Sequence, residues 1–194
     1  MTIVFASNNA NKVAEIKKLL PRGFAIKSLE EIGCLEEIPE TADTIEGNAM
    51  LKANYVTEKY GFDCFADDSG LEVHALNGAP GVYSARYAGV HNDAEANMDK
   101  LLRELAPSAD RSAQFKTVIA LNKNGKQYLF SGTVKGEITH NKSGTSGFGY
   151  DPIFKADGMS QTFAELTLDQ KSNISHRGIA VKKLIAFLSF SGTE

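Results

Sequence analysis

The chain has 194 residues, 42% of them hydrophobic and 23% charged, with a formal net charge of −3. That suits one soluble globular domain, or one core with two lobes, and residues 1–194 are read as a single domain. The slight acidity excludes the broad basic field that a nucleic-acid polymer needs, but leaves room for a single nucleotide on a local cluster of Lys and Arg.

The two cysteines, Cys34 and Cys64, make no disulfide framework and fit buried free thiols in a reducing compartment. The apolar start at Met1–Ala6 is too short for a signal-peptide core and has no basic segment before it. No apolar run approaches the roughly 20 residues needed to span a bilayer. The expectation is a cytoplasmic protein with no membrane partner.

Thr2 to Ala6 reads as a buried strand of β-branched and aromatic residues. A helix follows with Val13, Ile16, Leu19 and Leu20 on one face, stopped by Pro21 and Gly23. Phe24 to Ser28 is a second strand, and the acidic stretch from Leu29 to Asp43 a loop. Thr44 to Tyr60 returns to helical spacing, ended by Gly61. Asp63 to Ala66 and Leu71 to His74 read as two short strands around an Asp67–Gly70 turn. Asn77 to Val90, rich in Gly and Pro, is loop. Asn92 to Leu105 is a helix with Met98, Leu101, Leu102 and Leu105 inward. Two longer strands run near Ala113–Asn122 and Gln127–Thr139, joined by the hairpin signal Asn124-Gly125. His140 to Gly149 is a Gly/Ser loop, and Ser175 to Phe190 closes the chain as a helix. Helices alternate with strands and then a hairpin appears, which predicts an α/β fold with a mixed sheet.

Four polar segments carry the chemistry. Ser7, Asn8, Asn9, Ala10, Asn11 and Lys12 stand where a strand ends and a helix begins. Unpaired helix N–H groups and the Lys12 ammonium would suit a phosphate there, and the same small residues also suit a plain helix cap. Asp67 and Asp68 are adjacent carboxylates at the end of an apolar run. Mg²⁺ would relieve their repulsion, one of them could polarise a water, and an acidic turn is the plainer alternative. Glu40 and Glu46, upstream, are further carboxylates for a metal or for solvent. In Gly147-Phe148-Gly149-Tyr150-Asp151-Pro152 the glycines let backbone approach a ligand, so that Phe148 or Tyr150 could stack on a base; a tight turn with Phe148 in the core is the other reading. Lys171, His176 and Arg177 form a late cationic group, the last two in the first turn of the final helix, where positive charge opposes the helix dipole and a bound anion or carbonyl-rich ligand would account for it. His74, His91 and His140 have no metal spacing.

These segments resemble the inosine/xanthosine triphosphate pyrophosphatases, the Ham1 family, over nearly the whole chain. Ser7-Asn8-Asn9-Ala10-Asn11-Lys12 is similar to the family's S/T-x-N-x-x-K phosphate loop. Glu40 and Ile45-Glu46-Gly47-Asn48-Ala49-Met50-Leu51-Lys52-Ala53 are similar to its acidic loop and E-N-A-x-x-K-A helix, with Gly47 here separating Glu46 from Asn48. Ala66-Asp67-Asp68-Ser69-Gly70-Leu71, Gly78 through Tyr87 including Arg86, Gly147 through Phe154, and Lys171-Ser172 with Ser175-His176-Arg177-Gly178 complete the match.

The resemblance implies an elongated mixed sheet flanked by helices, two lobes with a central cleft, and a homodimer. It implies Mg²⁺-dependent hydrolysis of ITP, dITP or XTP to the nucleoside monophosphate and pyrophosphate. In that picture Lys12, Lys52 and the first helix N-terminus hold the phosphates. Glu40 and Asp68, with Asp67 beside them, hold Mg²⁺, and Asp68 is the candidate base. Ser69 and Lys171 contact phosphate or sugar, Arg86 belongs to the substrate loop, and Phe148 stacks on the base with Gly149 and Tyr150 beside it. Asp151, His176 and Arg177 read the base edge. The rivals are a pyrophosphatase of the related Maf class, against which the Ser-His-Arg and Gly-Phe-Gly-Tyr-Asp segments argue, and a non-catalytic nucleotide-binding module, which would not need Asp67 and Asp68 together.

Overall fold

The computed structural model describes residues 2–90 and 93–190, so the readings placed on Met1, His91 and Asn92 lie outside the described residues. Strand β1 (Thr2–Phe5) leads into helix α1 (Ala10–Leu19), and β2 (Ala25–Lys27) returns beside β1 in parallel, with Ile3 opposite Ile26. The acidic stretch predicted as loop holds one 3-10 turn, Glu30–Ile32. Helix α2 (Ile45–Tyr60) starts on the Thr44 cap and stops at Gly61.

Two short strands around a turn were expected next. One continuous strand, β3 (Cys64–Val73), stands there instead and pairs in parallel with β1, Phe5 opposite Phe65. The backbone has no need to turn Asp67 and Asp68 out to water, because cations inside the fold meet their charge. The predicted loop from Asn77 carries a 3-10 turn at Gly81–Arg86. Helix α3 (Ala94–Leu105) follows on the Asp93 cap, with Met98, Leu101 and Leu105 buried. The hairpin of β4 (Ser112–Lys123) and β5 (Lys126–Ile138) turns at Asn124 and Gly125, both with positive φ, 52° and 72°. That is the left-handed pair a two-residue hairpin loop asks for.

A strand and an α-helix have no counterpart in the sequence prediction: β6 (Phe154–Ala156), antiparallel to β5, and the two-turn helix α4 (Leu168–Ile174) before α5 (His176–Phe190). The strand order β2-β1-β3-β4-β5-β6, with parallel and antiparallel pairs, makes a mixed α/β sheet.

The chain divides into two compact units. The first is Met1–Asp68, Thr117–Gly132 and Arg177–Glu194, and the second is Ser69–Lys116 and Thr133–His176. In the first, Ile3, Phe5, Ile16, Phe65, Ile119 and Val181 are buried together, and Phe5 stacks on Phe65 at 4.8 Å between ring centroids. In the second, Leu71, Met98, Leu101, Phe115, Phe154 and Phe163 form the core. Cys34 and Cys64 are free and buried, and burial pushes the Cys64 thiol up to about 12. Among the described residues no helix is long and apolar enough to cross a membrane.

Candidate active site

In the first unit β1 delivers the chain to Ser7, and Asn9 begins α1. The Asn9 side chain accepts hydrogen bonds from the amides of Asn11 and Lys12, at 3.0 and 3.1 Å, and the Asn9 amide donates to Ser7 Oγ at 3.2 Å. Capping is therefore what Asn9 does for the helix. Asn8, Ala10 and Asn11 are exposed, while Ser7 and Lys12 are half-buried. Lys12 Nζ lies 3.2 Å from Asp67. Burial lowers the Lys12 pKa, with Asp67 working against the shift.

Asp67 is fully buried on β3 and held by two cations, Lys12 and Arg177, whose Nε stands 3.0 Å from Asp67 Oδ2. Burial alone would raise its pKa, but Lys12 and Arg177 outweigh it and keep the carboxyl well below the usual range. Arg177 itself is 2% exposed and also pairs, through Nη1, with Glu15 of α1. Burial disfavours its charge, and Asp67 and Glu15 restore it. Asp68 differs from its neighbour. Burial raises its pKa, Lys52 opposes that only in part, and its Oδ2 is buried with no hydrogen-bond partner among the described residues. Two adjacent carboxylates are thus driven apart in acidity, one locked as an anion and one left basic, which is the pattern of a division of labour.

Helix α2 supplies the third cation. Its buried stripe runs Ile45, Asn48, Ala49, Lys52, Ala53 and Val56, so two polar residues sit on an otherwise apolar period. The Lys52 ammonium bonds Glu40 and lies 3.8 Å from Asp68. Burial works against that charge, and Asp68, Glu40 and Asp67 more than offset it, raising the Lys52 pKa. Among the described residues no three His, Cys, Asp or Glu side chains converge into a closed metal centre. The donor set nonetheless fits Mg²⁺, which takes one or two carboxylates and fills its octahedron with water and phosphate oxygens. Glu40 and Asp68 share one ammonium, and the bare Asp68 Oδ2 is a ready ligand atom.

The base-binding candidates lie in the second unit. Gly147 has φ 78°, and a Cβ there would meet Asp151 Oδ2 at 2.1 Å, so only glycine allows this approach. Asp151 Oδ2 accepts from the Phe148 amide at 2.8 Å and from Lys171 Nζ at 2.6 Å. The Lys171 ammonium lies 4.7 Å from the centroid of the half-buried Phe148 ring. Tyr150 is buried and its hydroxyl donates to the Ser84 carbonyl at 2.9 Å, so it braces the loop. His176 opens α5 with its ring stacked on Phe115, 4.6 Å between centroids. Arg86 lies over the Tyr83 ring at 5.2 Å, Ser69 is half-buried on β3, and Gly149 has φ 63°.

The sequence residues thus fall into two groups: Lys12, Glu40, Lys52, Asp67, Asp68 and Arg177 in the first unit, and Phe148, Asp151 and Lys171 in the second. Arg177, expected at the base edge beside His176, has its guanidinium on Asp67 and Glu15. Glu15 and Asn48 were not among the sequence candidates. Glu15 stands three residues after Lys12 on the same helix face, and Asn48 one turn before Lys52 on the buried stripe. A charged or amide group at a position that hydrophobic spacing marks as buried was the signal for both.

Residues 3–187 match the family described as the Ham1 family. A Flavobacterium johnsoniae protein named dITP/XTP pyrophosphatase is 65% identical, covering 97% of this chain and 98% of its own. A Bacillus subtilis protein of the same name is 46% identical over 95% and 96% of the two chains. The solved Staphylococcus aureus Ham1 protein aligns with a TM-score of 0.90 at 44% identity, over 98% of this chain and all of that one. With a family match over nearly its whole length, and relatives of that family at 44% identity and above along nearly all of both chains, the chain belongs to the Ham1 family.

Proposed function

We propose that the protein hydrolyses non-canonical purine nucleoside triphosphates (dITP, ITP and XTP) to the nucleoside monophosphate and pyrophosphate, clearing deaminated purines from the nucleotide pool. The observation that carries this reading is the split carboxylate pair on β3 among Lys12, Lys52 and Arg177. A module that only bound nucleotide would have no use for a basic carboxylate with a bare oxygen beside a locked one. Relatives named dITP/XTP pyrophosphatase support the substrate class.

Lys12 and Lys52 serve the triphosphate, and their charges meet the negative charge that develops on the phosphate oxygens. Asp68 orients the attacking water and takes its proton. As the new bond to the α-phosphorus forms, the bond from that phosphorus to the bridging oxygen breaks, and pyrophosphate leaves. Mg²⁺ would supply further neutralisation of the phosphates; because a carboxylate that ligates metal is a poor base, Glu40 would carry the metal while Asp68 serves the water. Asp67, paired with Lys12 and Arg177, keeps Lys12 placed and charged.

For the purine, Phe148 is the proposed stacking face and Lys171 the proposed donor to the 6-oxo group. Lysine has donors only, so it pairs with hypoxanthine or xanthine and rejects the 6-amino group of adenine. Guanine also carries a 6-oxo group, and its rejection needs another contact. Cytoplasmic location and a homodimer complete the proposal. Buried free cysteines support the first, family membership the second, and mass in solution tests the dimer. A panel of nucleoside triphosphates with Mg²⁺, followed for pyrophosphate and inorganic phosphate separately, tests the reaction. Nucleoside diphosphate and inorganic phosphate as the products would overturn it.

A further inference from the structure

We infer that Asn48 and Gly47 are positioning residues that seat the Glu40–Ala42 segment on α2 and thereby fix Glu40 beside Lys52 and Asp68. The inference rests on the proposed role of Glu40 as a metal-binding carboxylate. Asn48 is fully buried, and its Oδ1 accepts a hydrogen bond from the Ala42 amide at 2.9 Å. An asparagine within a helix competes with the helix for backbone partners and is disfavoured on an apolar stripe. Here its side chain serves a different backbone, that of the preceding loop, and its Nδ2 is buried with no hydrogen-bond partner among the described residues.

Gly47 makes the same seat from the other side. A Cβ on it would stand 2.6 Å from Ala42 Cβ and 2.9 Å from Thr44 Oγ1, so the bare Cα is what lets Ala42 lie down. Helix propensity does not ask for glycine at this position. Thr44 already caps α2, its Oγ1 accepting from the Gly47 amide at 3.0 Å, and alanine is the better helix former. Ala42 is thus pinned by its amide and by its methyl. Two residues earlier the chain presents Glu40 to Lys52, one turn along the same face from Asn48. The seat and the anchor for Glu40 are neighbours on one helix surface.

The test uses the full chain and Mn²⁺ alone, followed by the electron paramagnetic resonance of the free ion, together with hydrogen exchange at the Ala42 amide. Asn48→Ala should weaken Mn²⁺ binding by about 10–100-fold, the usual effect of removing a group that orients a metal ligand. It should also speed Ala42 exchange while helical circular dichroism stays unchanged. Gly47→Ala should do the same, and Ala42→Gly in that background, which relieves the 2.6 Å contact but not the one at Thr44 Oγ1, should restore part of the binding. A glycine that served only the helix would not give that rescue, and an asparagine that served only the fold would not lose Mn²⁺ with its helix intact. Wild-type Mn²⁺ affinity and Ala42 protection in both single variants would overturn the inference while leaving the function standing. A wild-type chain that binds no Mn²⁺ would instead remove Glu40 from the metal, and with it this role for Asn48.

Discussion

Replacing Arg177 by methionine separates two roles for this side chain. Its guanidinium is 2% exposed and pairs with Asp67 at 3.0 Å and with Glu15, both themselves buried. Methionine keeps length and apolar volume and removes the charge. Taking one partner out of a buried pair costs about 3–5 kcal/mol, because a desolvated carboxylate is left behind. Unfolding entropy of about 2 cal/mol/K per residue gives about 0.4 kcal/mol per kelvin for 194 residues, so Tm should fall by about 7–12 °C. Asp67 keeps Lys12, and adding Glu15→Gln, which removes the other carboxylate that Arg177 neutralises, should recover part of the loss. The assays are thermal unfolding at neutral pH and kcat/KM for ITP and ATP. The structure predicts a loss of activity shared by both nucleotides, with their ratio kept, since Arg177 acts through Asp67. An unchanged Tm with a collapsed ITP/ATP ratio would refute this reasoning and put the guanidinium on the base edge.

Asp68→Asn should cut turnover by about two to four orders of magnitude, the usual contribution of a general base; activity largely restored by raised Mg²⁺ would point to a metal role alone. The same variant should be more stable than the wild type at neutral pH. A buried acid whose folded pKa is raised weakens the fold as pH climbs above its unfolded value, so the gain in Tm should vanish as pH falls below about 4. Equal Tm values across that window would contradict the assignment. Lys171→Gln, made with Asp151→Asn so that no buried carboxylate is stranded, should narrow the ITP/ATP ratio of kcat/KM and leave Tm nearly unchanged; an unaltered ratio would remove Lys171 as the reader of the 6-oxo group.

Local rules carried much of the fold. Apolar spacing predicted α1, α2, α3 and α5, with Pro and Gly stops for the first two, and Asn124-Gly125 predicted the hairpin, because these depend on neighbours in sequence. The turn at Asp67–Gly70 was a misprediction of another kind. Adjacent carboxylates belong at a surface unless cations 55 or 110 residues away neutralise them, and Lys12 and Arg177 do so. Strand β6 is three residues long and α4 two turns, too short for periodicity to register. The candidate residues were legible because the chemistry demands their types. Their division of labour was not, since which carboxylate is locked and which is basic depends on contacts between distant segments. Glu15 and Asn48 carried only the signal of a polar group on a buried helix position, and what each does there follows from its partner, Arg177 for one and the Ala42 amide for the other.

The proposed reaction is attack of water at the α-phosphorus of a deaminated purine nucleotide. The most direct measurement is hydrolysis of dITP with Mg²⁺ in ¹⁸O-labelled water, with mass analysis of both products. Nucleoside monophosphate and pyrophosphate should form in equal amounts, with the label in the monophosphate. Label in pyrophosphate would place the attack at the β-phosphorus, and labelled inorganic phosphate beside a nucleoside diphosphate would place it at the γ-phosphorus. Either result would contradict the account.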